Sequence, residues 1–401
     1  MTATETLPTT AQDPTPRRAS PTWQSMMRRT AIAYVISRLC VVAGAAIVAA
    51  QQSTVARVEG LERPKNALNL ITRVLTSWDG AWYYRIIRDG YPGVVPPDIS
   101  YFDPQARAAF FPVYPMLVRG FDVVMPGGDV FAGVTVNFLI GAAGVWVTGL
   151  LAREIFGERI GYRTMLLMVF FPGSFVLSFT YSEPTLILVA AASLLFLLRR
   201  QWLLAGVLAA IGTATRPNGL ALVAACAVAS FLAIRERREW RSMVAPALAP
   251  FGFIGFQVFL RLQSGEWVWF RVQREAWDEG TSFGLTAIRN TVEALTRPLS
   301  SPTDIITAIS FFTALVMLFI MYRRRLPWPV MAFVLVVLAM MILPSTVTAR
   351  PRFLYTAFPL LISVAAWWPE EHEEAWGASI AMCAAGLVTL TALYGVLGSI
   401  P

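Results

Sequence analysis

The chain has 401 residues, of which 56% are hydrophobic and only 14% charged, with a mean hydropathy of +0.56 and a formal charge of +8. Soluble domains carry about 25% charged residues, so this composition excludes one. The excess of arginine does not indicate nucleic acid binding, because the arginines sit in short clusters between apolar runs near 20 residues long, where they set membrane topology.

Residues 1–27 are rich in Thr and Pro without an apolar core, which predicts a disordered cytoplasmic tail and no cleavable signal peptide. Residues 28–401 then form a single multi-span membrane domain. The first span runs from about Thr30 to Ala50 behind Arg17, Arg18, Arg28 and Arg29, so the N-terminus is expected inside. Residues 51–108 form a long outer segment, and Ser77 to Gly90 reads there as a short interfacial helix. Ser77 or Asp79 caps it and Gly90 ends it. Trp82, Tyr83, Ile86 and Ile87 fall on one side, with Arg85, Arg88 and Asp89 opposite. Phe110 to Met125 is apolar but broken by Pro112 and Pro115, as in a re-entrant or a tilted half-span.

Further spans are expected near 130–151, 165–181, 185–198, 202–214, 220–234, 244–260, 303–322, 327–344, 353–368 and 375–397, with a second long outer loop at 261–302. The fold class is therefore an all-α polytopic membrane protein of about eleven transmembrane helices. This count puts the arginine clusters at 153–163, 199–200, 235–241 and 323–325 inside. It puts the Asp79 loop, Ser182-Glu183, Arg216 to Asn218, the 261–302 loop, Arg350 and Arg352 on one outer face.

Asp79 is the candidate general base. Flanking aromatic rings would desolvate its carboxylate and make it a better proton acceptor, although an isolated loop Asp is most often a helix cap. Arg216, Arg350 and Arg352 run against the inside bias for positive charge, and bidentate binding of a lipid phosphate would offset that. Glu183, beside Pro184, either orients one of these arginines or simply starts a helix. Asp89 and Asp103 are second candidates for acid–base or sugar contacts, and Asn137 is expected to make an interhelical hydrogen bond. His372 is the single histidine, and Cys40, Cys226 and Cys383 are scattered in apolar runs, which leaves no residues for a zinc site, a Ser-His-Asp triad or a disulfide framework. No Gly-rich phosphate loop is present, so a soluble nucleotide donor is not expected.

Trp78-Asp79, Gly90-Tyr91, the Ala109-Phe110-Phe111-Pro112-Val113-Tyr114-Pro115 string, Tyr181-Ser182-Glu183 and Arg216-Pro217-Asn218-Gly219 occur in that order. Together they resemble the signature of PIG-V-type mannosyltransferases, integral membrane glycosyltransferases of the GT-C class. The resemblance covers the first half of the chain well, and the second half agrees mainly in hydropathy and in Arg350-Pro351-Arg352. It implies inverting transfer of mannose from a polyprenyl-phosphate-mannose donor to an extracytoplasmic lipid, glycan or protein acceptor at the plasma membrane. Arginines at the outer rim would stabilise the leaving phosphate by themselves, so transfer without a metal or a cofactor is expected. Asp79 then corresponds to the catalytic base. Arg216, Arg350 and Arg352, read from their place at the outer rim, are the expected donor-phosphate ligands, and Trp78, Tyr83, Asp89, Tyr91, Phe111, Tyr114, Glu183 and Asn218 are the expected substrate-binding positions. Where the family often has a His after the Trp-Asp pair, this chain has Trp82, Tyr83 and Tyr84, which points to an acceptor other than a glycosylphosphatidylinositol intermediate. The competing readings are a transporter or flippase, which would show repeated halves and midplane charges, and a non-catalytic scaffold indifferent to Asp79.

Overall fold

The structure is a computed structural model that describes residues 22–59, 66–298, 301–346 and 350–397. The described residues are helical apart from turns and one isolated bridge between Thr281 and Pro344. The first helix, α1 (Trp23–Val58), is capped by the Thr22 hydroxyl, which accepts from the Ser25 amide. It thus begins inside the segment expected to be a tail and runs past the expected end of the first span; the rest of that tail lies outside the described residues. The reason is a competent cap just before a run without Pro. On α1 the pattern of a soluble helix is inverted. Thr30, Ser37 and Arg38 are buried while Ile32, Leu39 and Ile47 are exposed, as suits a helix surrounded by hydrocarbon.

Between α1 and the next long helix lie α2 (Ala67–Leu75) and α3 (Asp79–Asp89), within the segment 51–108, and α4 (Val113–Asp122) after it. Trp78 rather than Ser77 stands at the N-cap of α3, and Gly90 ends it with φ of 68°. Trp82, Tyr83, Ile86 and Ile87 are buried and Arg88 and Asp89 are exposed, as the pattern predicts. At ten residues, or about 15 Å, α4 is too short to span a bilayer, which fits a re-entrant segment and a tilted half-span alike.

There follow α5 (Gly128–Phe156), α6 (Glu158–Phe170), α7 (Glu183–Leu198), α8 (Trp202–Thr213), α9 (Ala221–Arg237), α10 (Val244–Leu248) and α11 (Phe251–Ser264). The second outer loop carries α12 (Val268–Glu275) and α13 (Leu285–Thr296). The chain closes with α14 (Pro302–Arg324), α15 (Trp328–Ile342), α16 (Pro351–Thr356), α17 (Pro359–Trp367) and α18 (Glu373–Gly395). Six helices among the described residues are long and apolar enough to cross a membrane, and α7, α8 and α15 are shorter apolar helices. The expected span near 353–368 is broken at Pro359 into α16 and α17.

Proline also ends α6. Pro172 stops the helix, and residues 172–182 continue as a short 3-10 turn and extended chain inside the bundle. Irregular backbone at this depth must be satisfied by protein groups. Arg38 supplies them from α1, donating to the carbonyls of Val169 (3.1 Å) and Ser174 (2.7 Å). Asn137 supplies them from α5, donating to the carbonyls of Phe179 and Tyr181 at 2.5 and 2.9 Å, which is the interhelical role expected of it.

The charges separate to two ends of the bundle. At one end Arg199 pairs with Glu154 at 2.7 Å, Arg200 with Glu239, and Arg159 with Glu370 and Glu373. There the Arg324 guanidinium also donates to the Trp367 carbonyl at 3.1 Å. At the other end Asp129 pairs with Arg88 of α3. Asp129 and Glu154 lie on the same helix, α5, about 37 Å apart at 1.5 Å per residue.

Candidate active site

Four charged side chains from four separated segments meet at the Asp129 end, each at a helix start or break. Asp79 is the first residue of α3 and Glu183 the first of α7. Arg216 lies in extended backbone (φ −160°, ψ 158°) between α8 and α9, and Arg352 is the second residue of α16. Proline fixes three of these breaks: Pro184 inside the start of α7, Pro217 after Arg216, and Pro351 before Arg352. A helix start favours a carboxylate but not a guanidinium, so the two arginines are held there by the two acids.

One guanidinium nitrogen of Arg352 donates to Asp79 Oδ2 at 2.6 Å and lies 3.9 Å from Glu183 Oε1. Arg216 Nη1 is 2.7 Å from Glu183 Oε2 and 3.8 Å from Asp79 Oδ2. Glu183 is fully buried, whereas the Asp79 side chain keeps 15% of its surface. The Tyr83 hydroxyl donates to Ser182 Oγ at 2.6 Å, and Ser182 Oγ accepts from Arg216 at 3.2 Å. The Arg352 guanidinium also stacks on Phe353 and Tyr181, 4.8 and 5.6 Å from the ring centroids. The Nε–H groups of Arg216 and Arg352 are buried without a partner among the described residues. Buried donors of this kind are normally satisfied, so the two guanidinium groups keep hydrogen-bonding capacity that no described residue uses.

The carboxylate of Asp79 bonds Arg352 instead of a backbone amide, so it is not spent as a helix cap, and its nearest charged neighbour is a guanidinium rather than an aromatic ring. The backbone just before it is strained. Trp78 has φ of 58° and ψ of −121°, sparsely populated for a bulky residue, at a cost of about 1–3 kcal/mol. Its indole N–H donates to the Tyr394 carbonyl at 3.0 Å and so pins this conformation to α18.

The cluster opens into a cavity of about 180 Å³ lined by Asp79, Tyr83, Phe110, Phe111, Arg216, Arg352 and Phe353, with Gln273, Trp277 and Glu279 from the second outer loop. At about 30 Å³ per water this is room for some six waters, the scale of one monosaccharide ring. The loop lies across the cavity as a lid. Trp277 packs edge-on against Phe110 and Tyr101, at centroid distances of 5.4 and 4.9 Å. A clasp ties the loop to residues 343–346, through Gly280 N–H to Ser345 Oγ (2.9 Å), Ser345 N–H to the Gly280 carbonyl (3.0 Å) and Ser282 N–H to the Leu343 carbonyl (2.9 Å).

Several expected positions fall elsewhere. Arg350 turns to α14, donating to Thr307 Oγ1 at 2.6 Å and the Thr303 carbonyl at 3.2 Å, outside the cavity lining. Asp89, ten residues along α3, lines a different cavity with Arg85 and Arg88, because α3 carries it about 15 Å from Asp79. Tyr91 donates to the Phe110 carbonyl and packs on Phe256 and Phe259, so it props the Phe110 wall from behind. Tyr114 is fully buried edge-on to Tyr83 at 5.0 Å. Trp78 and the buried Asn218 do not line the cavity either. Asp103 accepts from the Ser100 amide and hydroxyl, which holds its carboxyl below the usual range and gives it a local turn role. Ser182 and the lid residues Trp277 and Glu279 were missed as site residues; the only sequence signal for the lid was that 261–302 is a long polar outer loop.

A family model described as dolichyl-phosphate-mannose-protein mannosyltransferase matches residues 108–261, less than half of the chain. Among solved structures, the chain is similar to ArnT from Cupriavidus metallidurans in the apo state, with a TM-score of 0.51 and 16% identity over 78% of this chain and 58% of that one. The same protein bound to undecaprenyl phosphate gives 0.49 and 15% over 80% and 64%. The Archaeoglobus fulgidus oligosaccharyltransferase in its apo form gives 0.46 and 14% over 90% and 55%. This chain thus spans about three fifths of the ArnT length. No curated protein matches the sequence. The likeness to apo ArnT, together with the all-helical architecture, shows that this chain has a GT-C-like membrane fold.

Proposed function

We propose that the protein is an inverting membrane glycosyltransferase that moves mannose from a polyprenyl-phosphate-mannose donor to an extracytoplasmic acceptor, with Asp79 as general base. The observation that carries this reading is the convergence of Asp79, Glu183, Arg216 and Arg352 on one aromatic-walled, sugar-sized cavity. The matched family description supports mannose and a lipid phosphate as donor chemistry. The end of the bundle opposite the arginine clusters is the outer one by the positive-inside rule, which supports an extracytoplasmic site in the plasma membrane.

The chemistry follows from the geometry. The donor phosphate takes the free Nε–H groups of Arg216 and Arg352, which stabilise the negative charge that develops as it leaves. An acceptor hydroxyl oxygen attacks the anomeric carbon from the face opposite the phosphate. The new carbon–oxygen bond forms as the bond to the phosphate oxygen breaks, and that bond's electron pair leaves on the phosphate. The hydroxyl proton passes to Asp79. Glu183, fully buried, balances the arginines and keeps Arg216 in place. PIG-V-type relatives fit this scheme on the motif residues Asp79, Glu183 and Arg216. The acceptor is a lipid, glycan or protein hydroxyl.

The test is transfer from radiolabelled polyprenyl-phosphate-mannose by membranes holding equal amounts of wild type or Asp79→Asn. Transfer that disappears in the variant supports donor and base together. Equal transfer by both removes Asp79 from the mechanism, and no transfer by either defeats the donor assignment.

A further inference from the structure

The lid carries two polar atoms without a partner among the described residues. Trp277 Nε1 is a buried donor without a partner, and Glu279 Oε1 a buried acceptor without one. Both residues line the cavity that holds Asp79, Arg216 and Arg352. Neither atom is loosely placed. The Trp277 ring is wedged among Tyr101, Phe110 and Trp82. The other oxygen of Glu279 accepts from Thr346 Oγ1 at 2.6 Å, which orients the carboxylate from the clasp side. A buried donor and a buried acceptor left open cost stability unless a ligand meets them.

We propose that Trp277 and Glu279 form a subsite for the donor's sugar ring, so that the lid tells a glycosylated polyprenyl phosphate from the bare lipid. The inference rests on the donor reading above. A phosphate on Arg216 and Arg352 places the sugar it carries in the same cavity, one bond away. A sugar hydroxyl both donates and accepts, and so meets a carboxylate oxygen and an indole N–H with complementary partners. Aromatic rings beside a carboxylate also suit a pyranose, whose faces are apolar and whose rim is polar. The arginines then read the phosphate and the lid reads the sugar.

The experiment is equilibrium binding by the purified full chain of a short-chain polyprenyl phosphate and of the same lipid carrying mannose, glucose or a pentose. Wild type is expected to favour one glycosylated lipid over the bare phosphate by on the order of tenfold or more, the equivalent of one charged hydrogen bond. Glu279→Gln and Trp277→Phe, which keep volume and ring, are expected to erase most of that preference while leaving affinity for the bare lipid unchanged. Variants that retain the wild-type preference overturn the subsite. Parallel loss of affinity for both lipids also overturns it, since that is the signature of a lid that only packs. Wild type that binds bare and every glycosylated lipid alike defeats the subsite alone. Wild type that binds none of them defeats the donor reading beneath it.

Discussion

Arg352 holds Asp79 at 2.6 Å across 273 residues of chain, and the same guanidinium nitrogen stands 3.9 Å from Glu183. With Arg216 the four side chains form a neutral quartet of two acids and two bases. On the proposed mechanism the phosphate takes the free Nε–H groups of Arg216 and Arg352, so the donor binds beside Asp79 without displacing it from Arg352. Asp79→Asn keeps the shape and the hydrogen bond but not the basicity. Its transfer rate is expected to fall by about 10²–10⁴-fold with donor affinity nearly unchanged, measured by single-turnover transfer beside donor binding. A rate within threefold of wild type would end the base assignment.

Glu183 has the opposite profile, being fully buried and pairing with Arg216 at 2.7 Å. Removing one partner of a buried ion pair destabilises by about 3–5 kcal/mol, because the other charge is left uncompensated. Glu183→Ala is therefore expected to lower the thermal midpoint of the purified protein clearly, and Glu183→Gln less. An unchanged midpoint in both variants would show that Arg216 is balanced by some other group.

Asp89 is exposed at the far end of α3 and lines another cavity. Asp89→Asn is expected to leave transfer within about twofold of wild type, since surface changes away from a site are nearly neutral. A loss comparable to that of Asp79→Asn would place the reacting carboxylate at the wrong end of the helix.

The start of α3 is fitted against the broken segment after α6. A Cβ on Gly80 would lie 2.5 Å from Thr180 Oγ1, while the Thr180 amide and hydroxyl both donate to the Leu75 carbonyl. Overpacking of this kind costs about 1–3 kcal/mol and must move either Asp79 or the Ser182-Glu183 corner. Gly80→Ala is expected to cut transfer by about tenfold or more. Adding Thr180→Ala should restore part of it, because the next side-chain atom, Thr180 Cβ, is 3.8 Å away. Failure of the double variant to recover any activity would point to a backbone cause instead.

Burial pushes the Glu279 carboxyl up from its ordinary value of 4.5. The neighbouring Asp278 acts in the same direction, and hydrogen bonds from Thr346 and the Ser345 backbone oppose them. A raised value means the fold favours the neutral form, so its contribution to stability is complete below about 4.5 and fades as pH rises through the raised value. Gln at this position is neutral throughout. The thermal midpoint of Glu279→Gln relative to wild type should therefore climb between pH 4 and pH 8, and a flat difference across that range would contradict the assigned environment.

The quartet was legible because each member interrupts an apolar run at a helix boundary, next to Pro or Gly, where a charge needs a reason. Arg350 and Arg352 were not separable in this way. They flank Pro351 identically in sequence, yet residues two apart at a helix start point to opposite sides, and only Arg352 faces Asp79. Asp89 was misplaced because proximity in sequence along a rigid helix is distance in space. The helical nature of α3, the membrane class and the alternation of charged ends followed from periodicity and arginine placement. The lid did not. Trp277 and Glu279 reach the cavity through a clasp between segments more than 60 residues apart, and no local pattern encodes a pairing of that length.

The spread of the quartet along the chain also fixes the order in which its parts exist. Asp79 and Glu183 are synthesised first, Arg216 next, and Arg352 last of the four. At ribosomal rates of about 5–20 residues per second, Asp79 waits about 14–55 s for its 2.6 Å partner. During that interval its carboxylate has at best Arg216, 3.8 Å away in the finished protein. A nascent chain arrested before Arg352 should therefore be more open to proteolysis around α3 than one arrested beyond α16, which pulse-labelling with limited digestion would show. The quartet closes only once Arg352 has been made, so a product truncated before α16 never acquires the charge balance that the four side chains share.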